Sequence, residues 1–166
     1  ADFCKTGIAQ GQQCMTKNKA GVGLKQVGAI YDCLQAMEEN GGYLVSDGGI
    51  NEPASVCKAL GLGASMVMCG TLFGGYDECD DAEWIHNEYG QKTHMKIYGM
   101  SSQKAMDKYN GGSKKYRTSE GRESLVTYKG RIQTLISDIK GSLTSCCTYS
   151  NSKKLQNLSQ NIIFST

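Results

Sequence analysis

Tyr43-Leu44-Val45-Ser46-Asp47-Gly48-Gly49 is a short apolar run that ends in a carboxylate and two glycines. Bounded this way it reads as a buried strand. Asn51 then caps a helix with Pro53 in its first turn, and Val56, Cys57 and Leu60 form the buried face. The pattern repeats on both sides. Upstream, Asp2 to Ile8 reads as a strand feeding the polar loop Gly11-Gln12-Gln13-Cys14-Met15-Thr16-Lys17-Asn18-Lys19-Ala20-Gly21-Val22-Gly23. After that loop Val27, Ile30, Tyr31, Leu34 and Met37 recur at helical spacing, with Glu38 to Gly42 as the stop. Downstream, Ser65-Met66-Val67-Met68-Cys69 is a strand that ends in Gly70-Thr71. A strand running into a glycine-bearing loop thus occurs three times, with a helix after each of the first two. That alternation predicts parallel βα units whose loops face a ligand at the carboxyl ends of the strands. In a (β/α)8 barrel the loops after the last two strands often hold a phosphate. Asp47-Gly48-Gly49 and Gly70-Thr71 suit that task, because glycine leaves backbone N–H groups open to an anion.

The bulk composition sets limits. At 166 residues and 18.0 kDa the chain has the size of one domain. A net charge of +2, with both signs dispersed, implies no nucleic-acid partner. No apolar run approaches the roughly 20 residues of a membrane span, and no signal-peptide pattern opens the chain. Most of the eight cysteines lie within apolar element patterns, which reads as a reduced, cytoplasmic protein rather than a disulfide scaffold. Glycine, at 21 residues, is nearly twice the usual share of about 7%. The chain opens on Ala1, within a strand pattern, and so reads as a piece cut from a longer protein.

Beyond Thr71 the alternation stops. Gly74 to Glu83 reads as an acidic loop and His94 to Tyr98 as a strand before Gly99-Met100-Ser101-Ser102. Ala105 to Tyr109 is a short helix ending at Asn110-Gly111-Gly112, and Ser113 to Arg122 reads as a polar flap. Val126 to Gly130 makes a strand and turn. Ile132, Leu135, Ile136, Ile139 and Leu143 define an amphipathic helix.

A cysteine on a loop just past a strand end is where a nucleophilic thiol would sit, and a lone cysteine is also more often inert than catalytic. Cys4, Cys33, Cys57 and Cys69 read as core residues, as do Met66 and Met68. Adjacent cysteines form strained disulfides, so Cys146-Cys147 reads as a spectator pair. The acidic run Asp77 to Glu83 reads as a solvated helix start rather than a cation site. His86 and His94 show no ligand spacing.

Cys14-Met15-Thr16 with Ala20-Gly21-Val22-Gly23, then Ser46-Asp47-Gly48-Gly49, then Tyr98-Gly99-Met100-Ser101-Ser102-Gln103-Lys104-Ala105-Met106, form an ordered set. Lys108-Tyr109-Asn110-Gly111-Gly112 and Tyr116-Arg117-Thr118-Ser119-Glu120-Gly121 complete it. By these motifs the sequence resembles the GMP reductases, relatives of IMP dehydrogenase. The resemblance begins at the family's sixth barrel strand. It implies the last three βα units of an α/β (β/α)8 TIM barrel, followed by a flap and a C-terminal segment. Residues 1–166 would then be the C-terminal part of one catalytic domain, with the catalytic loop at 9–23 and the flap at about 103–122. Three strands cannot close a barrel, so sheet edges should be exposed. The short stretch between Met100 and Glu120 lacks the longer, Arg-Tyr-bearing flap of the dehydrogenase and so favours the reductase.

The resemblance implies a reaction and its residues. Cys14 would attack C2 of the guanine of GMP, ammonia would leave with Thr16 and Glu120 supplying the proton, and NADPH would deliver hydride to give IMP. Substrate contacts would fall on Asp47 for the ribose hydroxyls and on Gly48, Gly49, Gly70 and Thr71 for the phosphate. Gly99, Met100, Ser101, Arg117, Ser119 and Gly121 complete that set. NADPH contacts would fall on Met100, Tyr116, Arg117, Ser145, Cys146, Cys147 and Thr148. Gly11 and Cys14 match a potassium (K+) site, and a homo-oligomer, a tetramer, is the implied assembly. Ala9-Gln10-Gly11-Gln12 stand where the family has Gly-Pro-Gly-Ser, which removes a usual phosphate contact. The competing readings are an NAD-dependent IMP dehydrogenase and a truncated, non-catalytic nucleotide-binding fragment.

Overall fold

The computed structural model describes residues 1–112 and 116–164. Strands β1 (Phe3–Thr6), β2 (Tyr43–Asp47) and β3 (Met66–Met68) are parallel and lie in that order, with Cys4 opposite Leu44 and Val45 opposite Met66. The connections are α1 (Thr16–Ala20) with α2 (Gln26–Asn40), then α3 (Pro53–Gly61). Glu52, not Asn51, occupies the cap position of α3 and makes no side-chain capping bond; Pro53 opens the helix. The central strand is the best covered, with Leu44 and Ser46 fully buried. Ile30 of α2, Val56 and Ala59 of α3 and Leu135 of α5 (Gln133–Tyr149) pack with Leu44, Ile50, Leu72 and Tyr76 into the core. The last helix, α6 (Leu158–Asn161), seals α3 with the fully buried Leu158.

β1 and β3 pair on one side only among the described residues. Cys4, Met66 and Met68, expected in the core, are exposed, and Phe3 stacks on Tyr43 at the surface. The reason is the incomplete sheet: an outer strand of three has one face with nothing packed on it. Cys57 is buried as expected, while Cys33 and Cys69 are half-buried.

The second sheet is antiparallel, in the order β4 (Glu83–His86), β5 (Lys92–Tyr98), β6 (Glu123–Thr127). β5 begins earlier than expected, β6 replaces the strand expected from Val126, and β4 was not expected. The turn joining β4 and β5 forms because the Asn87 side-chain oxygen accepts from the N–H groups of Tyr89 and Gln91 at 3.0 and 2.9 Å. Trp84 meets Tyr128 edge-on at 5.8 Å, with the Lys92 ammonium 4.4 Å over the indole.

The acidic run is not a helix start. Asp77 accepts from Lys92 and Tyr128 at 3.0 and 2.9 Å, and these bonds hold its carboxyl below the usual range. Glu78 accepts from the N–H of Ile132 at 3.0 Å, just ahead of α5. Glu83 is held by Lys104 and Lys96, which bring its carboxyl down to about 2. Among the described residues no group of three or more His, Cys, Asp or Glu could hold a metal ion.

The expected flap is partly helical. α4 (Gln103–Asn110) is capped by Ser102, whose hydroxyl accepts from the N–H of Ala105 at 3.2 Å, and it ends at Gly111 in the left-handed region. Residues 113–115 of that expectation lie outside the described residues. Among the described residues no helix is long and apolar enough to cross a membrane.

Candidate active site

The loops leaving the carboxyl ends of β1, β2 and β3 converge beneath the second sheet and enclose a cavity of about 530 Å³. Gly11, Cys14, Asp47, Gly48, Gly49, Gly70, Thr71, Gly99, Met100, Ser101, Glu120 and Gly121 all line it. Sequence positions 107 residues apart (Cys14 and Gly121) thus share one wall, joined by an antiparallel backbone bridge. Met68, Phe73, Met95 and Ile97 give the cavity an apolar side that the sequence did not mark.

The loop after β1 is not loop throughout. Thr16 opens α1, and this turn of helix places the hydroxyl of Thr16 next to the preceding cysteine. The Cys14 thiol donates to Thr16 Oγ1 at 3.3 Å, and the Thr16 hydroxyl donates to Glu120 Oε2 at 2.6 Å. Thiol, hydroxyl and carboxylate therefore form one directed chain along which a proton can pass. By contrast, burial first, and then the neighbouring Cys146, push the Cys57 thiol up to about 11, and burial also raises Cys69. Those two are poor nucleophiles at neutral pH.

Backbone contacts hold the carboxylate in place. Met15 N–H donates to the Glu120 carbonyl at 2.6 Å, and Arg122 N–H to the Gln13 carbonyl at 2.9 Å. On the other side, Glu120 and Gly121 N–H groups both donate to the Ser101 carbonyl at 3.0 Å. Ser119 Oγ donates to that same carbonyl at 3.2 Å. Gly121 is required here: a Cβ would lie 2.5 Å from the Ser102 nitrogen and 2.8 Å from the Ser101 carbonyl carbon.

Gly48 adopts φ +107° with Gln10 and Gly11 packed where a Cβ would go. Gly49, at φ +76°, and Gly70 have open space on that side, so a ligand can approach their backbone closely. Asp47 faces the cavity and its Oδ2 accepts from Lys5 Nζ at 2.5 Å. Lys5 and Arg122 were not marked by the sequence reading, since neither lies inside a spaced motif that points to its partner.

Four of the expected cofactor residues fall elsewhere. Ser145, Cys146, Cys147 and Thr148 lie on α5, which packs on α3, and none borders the cavity. Tyr116 and Arg117 are exposed ahead of Ser119, and Met100 is exposed at the cavity rim. For potassium the chain offers little. The Gly11 carbonyl accepts from Cys14 N–H at 2.9 Å, and the two carbonyls between them, of Gln12 and Gln13, accept from Arg122 Nε at 2.8 Å and Arg122 N–H at 2.9 Å. Two carbonyls, of Gly11 and Cys14, do not make a shell of oxygen ligands.

Fold and site together define part of a (β/α)8 barrel that presents a cysteine on a strand-end loop, wired through threonine to a carboxylate. Residues 1–166 match the model of the IMP dehydrogenase / GMP reductase domain. The chain is 44% identical to a GMP reductase of Onchocerca volvulus over 164 residues, covering 99% of this chain and 44% of that protein. It is 42% identical to GMP reductase 1 of Homo sapiens, covering 99% of this chain and 47% of that one. It superimposes on a crystal structure of a Trypanosoma brucei GMP reductase in complex with guanosine 5′-monophosphate with a TM-score of 0.86. That match has 28% identity and covers 97% of this chain and 33% of the other. The chain belongs to the IMP dehydrogenase / GMP reductase family and spans less than half the length of these curated relatives.

Proposed function

We propose that the protein to which this chain belongs is a GMP reductase, converting GMP to IMP and ammonia through a covalent bond between Cys14 and C2 of the base. The observation that carries the reading is the hydrogen-bonded chain from Cys14 through Thr16 to Glu120. The thiol proton passes along it to Glu120, leaving a thiolate to add to C2. The same proton then returns through Thr16 to the departing amino group, since ammonia leaves readily only when protonated. A thioimidate on Cys14 remains, and NADPH, when bound, supplies the hydride that reduces it. Sulfur departs easily afterwards, which frees Cys14.

The binding roles follow the cavity. Asp47 accepts from the ribose hydroxyls once Lys5 yields one oxygen to them. Gly48, Gly49, Gly70 and Thr71 offer backbone N–H groups to the phosphate. Gly99, Met100, Ser101 and Gly121 line the base side, with Arg117 and Ser119 completing it from the flap. The exposed rim at Met100, with Tyr116 and Arg117 beyond it, fits a flat ring entering from outside. Ser145, Cys146, Cys147 and Thr148 lie on α5 outside this cavity, and only the family resemblance assigns them to the far end of that long cofactor. A cytoplasmic homotetramer is the setting implied by the same reading.

Isotope exchange tests the site's chemistry without net reduction. Full-length protein is mixed with GMP, NADP+ and 15N-ammonia, and the 2-amino group is followed by mass spectrometry. Label enters if ammonia leaves and returns through a Cys14 adduct. Glu120→Gln keeps an acceptor for Thr16 but takes no proton, and it should slow exchange by about 10²- to 10⁴-fold. No label in the wild-type product, or equal labelling in Glu120→Gln, contradicts the reading.

A further inference from the structure

We propose that Arg122 is a positioning residue for Cys14, holding the two peptide units ahead of the thiol from the segment just before β6; the proposal rests on the reading of Cys14 as the nucleophile. The loop before Cys14 does little to fix its own shape. It contains no proline, its Gln12 is exposed, and Ala9 sits at φ +69°, a conformation that costs a residue with a Cβ. Among the described residues its one internal backbone tie is the bond from Cys14 N–H to the Gly11 carbonyl. The Gln10 side chain ties the start of the loop to the Leu24 carbonyl, and the hydrogen bonds on Gln12 and Gln13, next to the thiol, come from Arg122 and Ser124.

Arg122 supplies two of them. Its backbone N–H holds the Gln13 carbonyl at 2.9 Å, and its side-chain Nε–H holds the Gln12 carbonyl at 2.8 Å. Those carbonyls belong to the last two peptide planes before Cys14, so together they set the direction from which the cysteine leaves the loop. The Arg122 carbonyl in turn accepts from Gly99 N–H at 3.1 Å, tying the same residue to the end of β5. Gln13 adds a neighbouring brace, its side-chain nitrogen donating to Ser124 Oγ at 2.8 Å. The guanidinium stays charged throughout the working pH range and its Nε–H is fixed in a plane, so the bond to Gln12 is strong and directional. The backbone bond to Gln13 survives any substitution at 122. A side-chain variant therefore isolates the hold on Gln12.

The test uses full-length protein carrying Arg122→Ala or Arg122→Lys. Turnover of GMP is measured with its kcat and KM separated. Iodoacetamide labelling of Cys14 is followed across pH by peptide mass spectrometry, with the other cysteines as internal controls. Arg122→Ala should lower kcat by about 10- to 100-fold with KM for GMP within about threefold. It should also change the labelling rate of Cys14 by at least about fivefold while the other cysteines keep theirs. Arg122→Lys, which returns a charged donor, should recover most of both effects. The proposal is overturned if kcat stays within about twofold in the alanine variant, if all cysteines change together, or if lysine does no better than alanine. Should the wild-type protein fail to turn over GMP, the functional reading falls, and the labelling comparison still decides the role of Arg122.

Discussion

Cys14→Ala should abolish GMP turnover by the full-length protein, a loss on the order of 10⁴-fold or more, while GMP binding changes by no more than about threefold. The cysteine is the only group in the relay able to form the bond to C2. Thr16 and Glu120 are placed to move a proton in the proposed function but cannot replace a nucleophile. In the proposed function the ligand is held by other parts of the cavity, where the backbone is open at Gly49 and Gly70 and Asp47 lines the wall. Removing the thiol should therefore separate chemistry from binding. Calorimetry with GMP beside the rate assay checks both halves. Turnover that survives at more than a few per cent places the nucleophile elsewhere.

Gly7→Ala should be the most damaging single change to the scaffold. Gly7 follows β1 at φ +135°, and a Cβ there would lie 1.6 Å from the Asp47 carbonyl oxygen. Backbone at that distance cannot swing aside as a side chain could, so β1 and β2 must separate at their carboxyl ends. Conformational strain and forced displacement together should cost about 4 kcal/mol or more. The damage falls where Asp47 leaves β2 for the cavity. Gly21→Ala is the matched control: φ is +68° and nothing lies within 4 Å of the added carbon, so the cost should stay near 1 kcal/mol. Denaturant unfolding of the full-length variants gives both figures. Equal losses for the two would show that the packing of Gly7 against Asp47 does not matter.

The legible part of the fold was the part written in local pattern. β1, β2 and β3 each end in glycine-bearing loops, and α2 and α3 carry helical spacing, so alternation and parallel pairing followed from the chain alone. β4 was not legible. Its four residues are held by register with β5 and by Trp84 packing on Tyr128, partners that only the tertiary structure supplies. α1 was hidden for a different reason, being a single polar turn with no apolar face to repeat. Met66 and Met68 misled because apolar residues in a strand read as buried, and a three-stranded sheet leaves one face of its outer strand uncovered.

The site divides along the same line. Cys14 and Asp47-Gly48-Gly49 stand at strand ends, where position itself marks them. Glu120 lies 104 residues from Thr16, and only the resemblance of its motif joined the two before the 2.6 Å bond did. Arg122 had no such marker. Its role depends on which carbonyl its side chain meets, and no spacing in the sequence encodes that contact. The Ser145 to Thr148 segment was placed by resemblance alone, and α5 carries it away from the cavity.

One assay asks directly whether this cavity serves the proposed reduction of GMP. Full-length protein is mixed with GMP and NADPH, the cofactor absorbance is followed, and released ammonia is counted in the same sample. NADPH should be lost and ammonia should appear in equal amounts, with IMP as product and no cofactor change when GMP is omitted. NADH accumulating from IMP and NAD, with GMP left untouched, would contradict it.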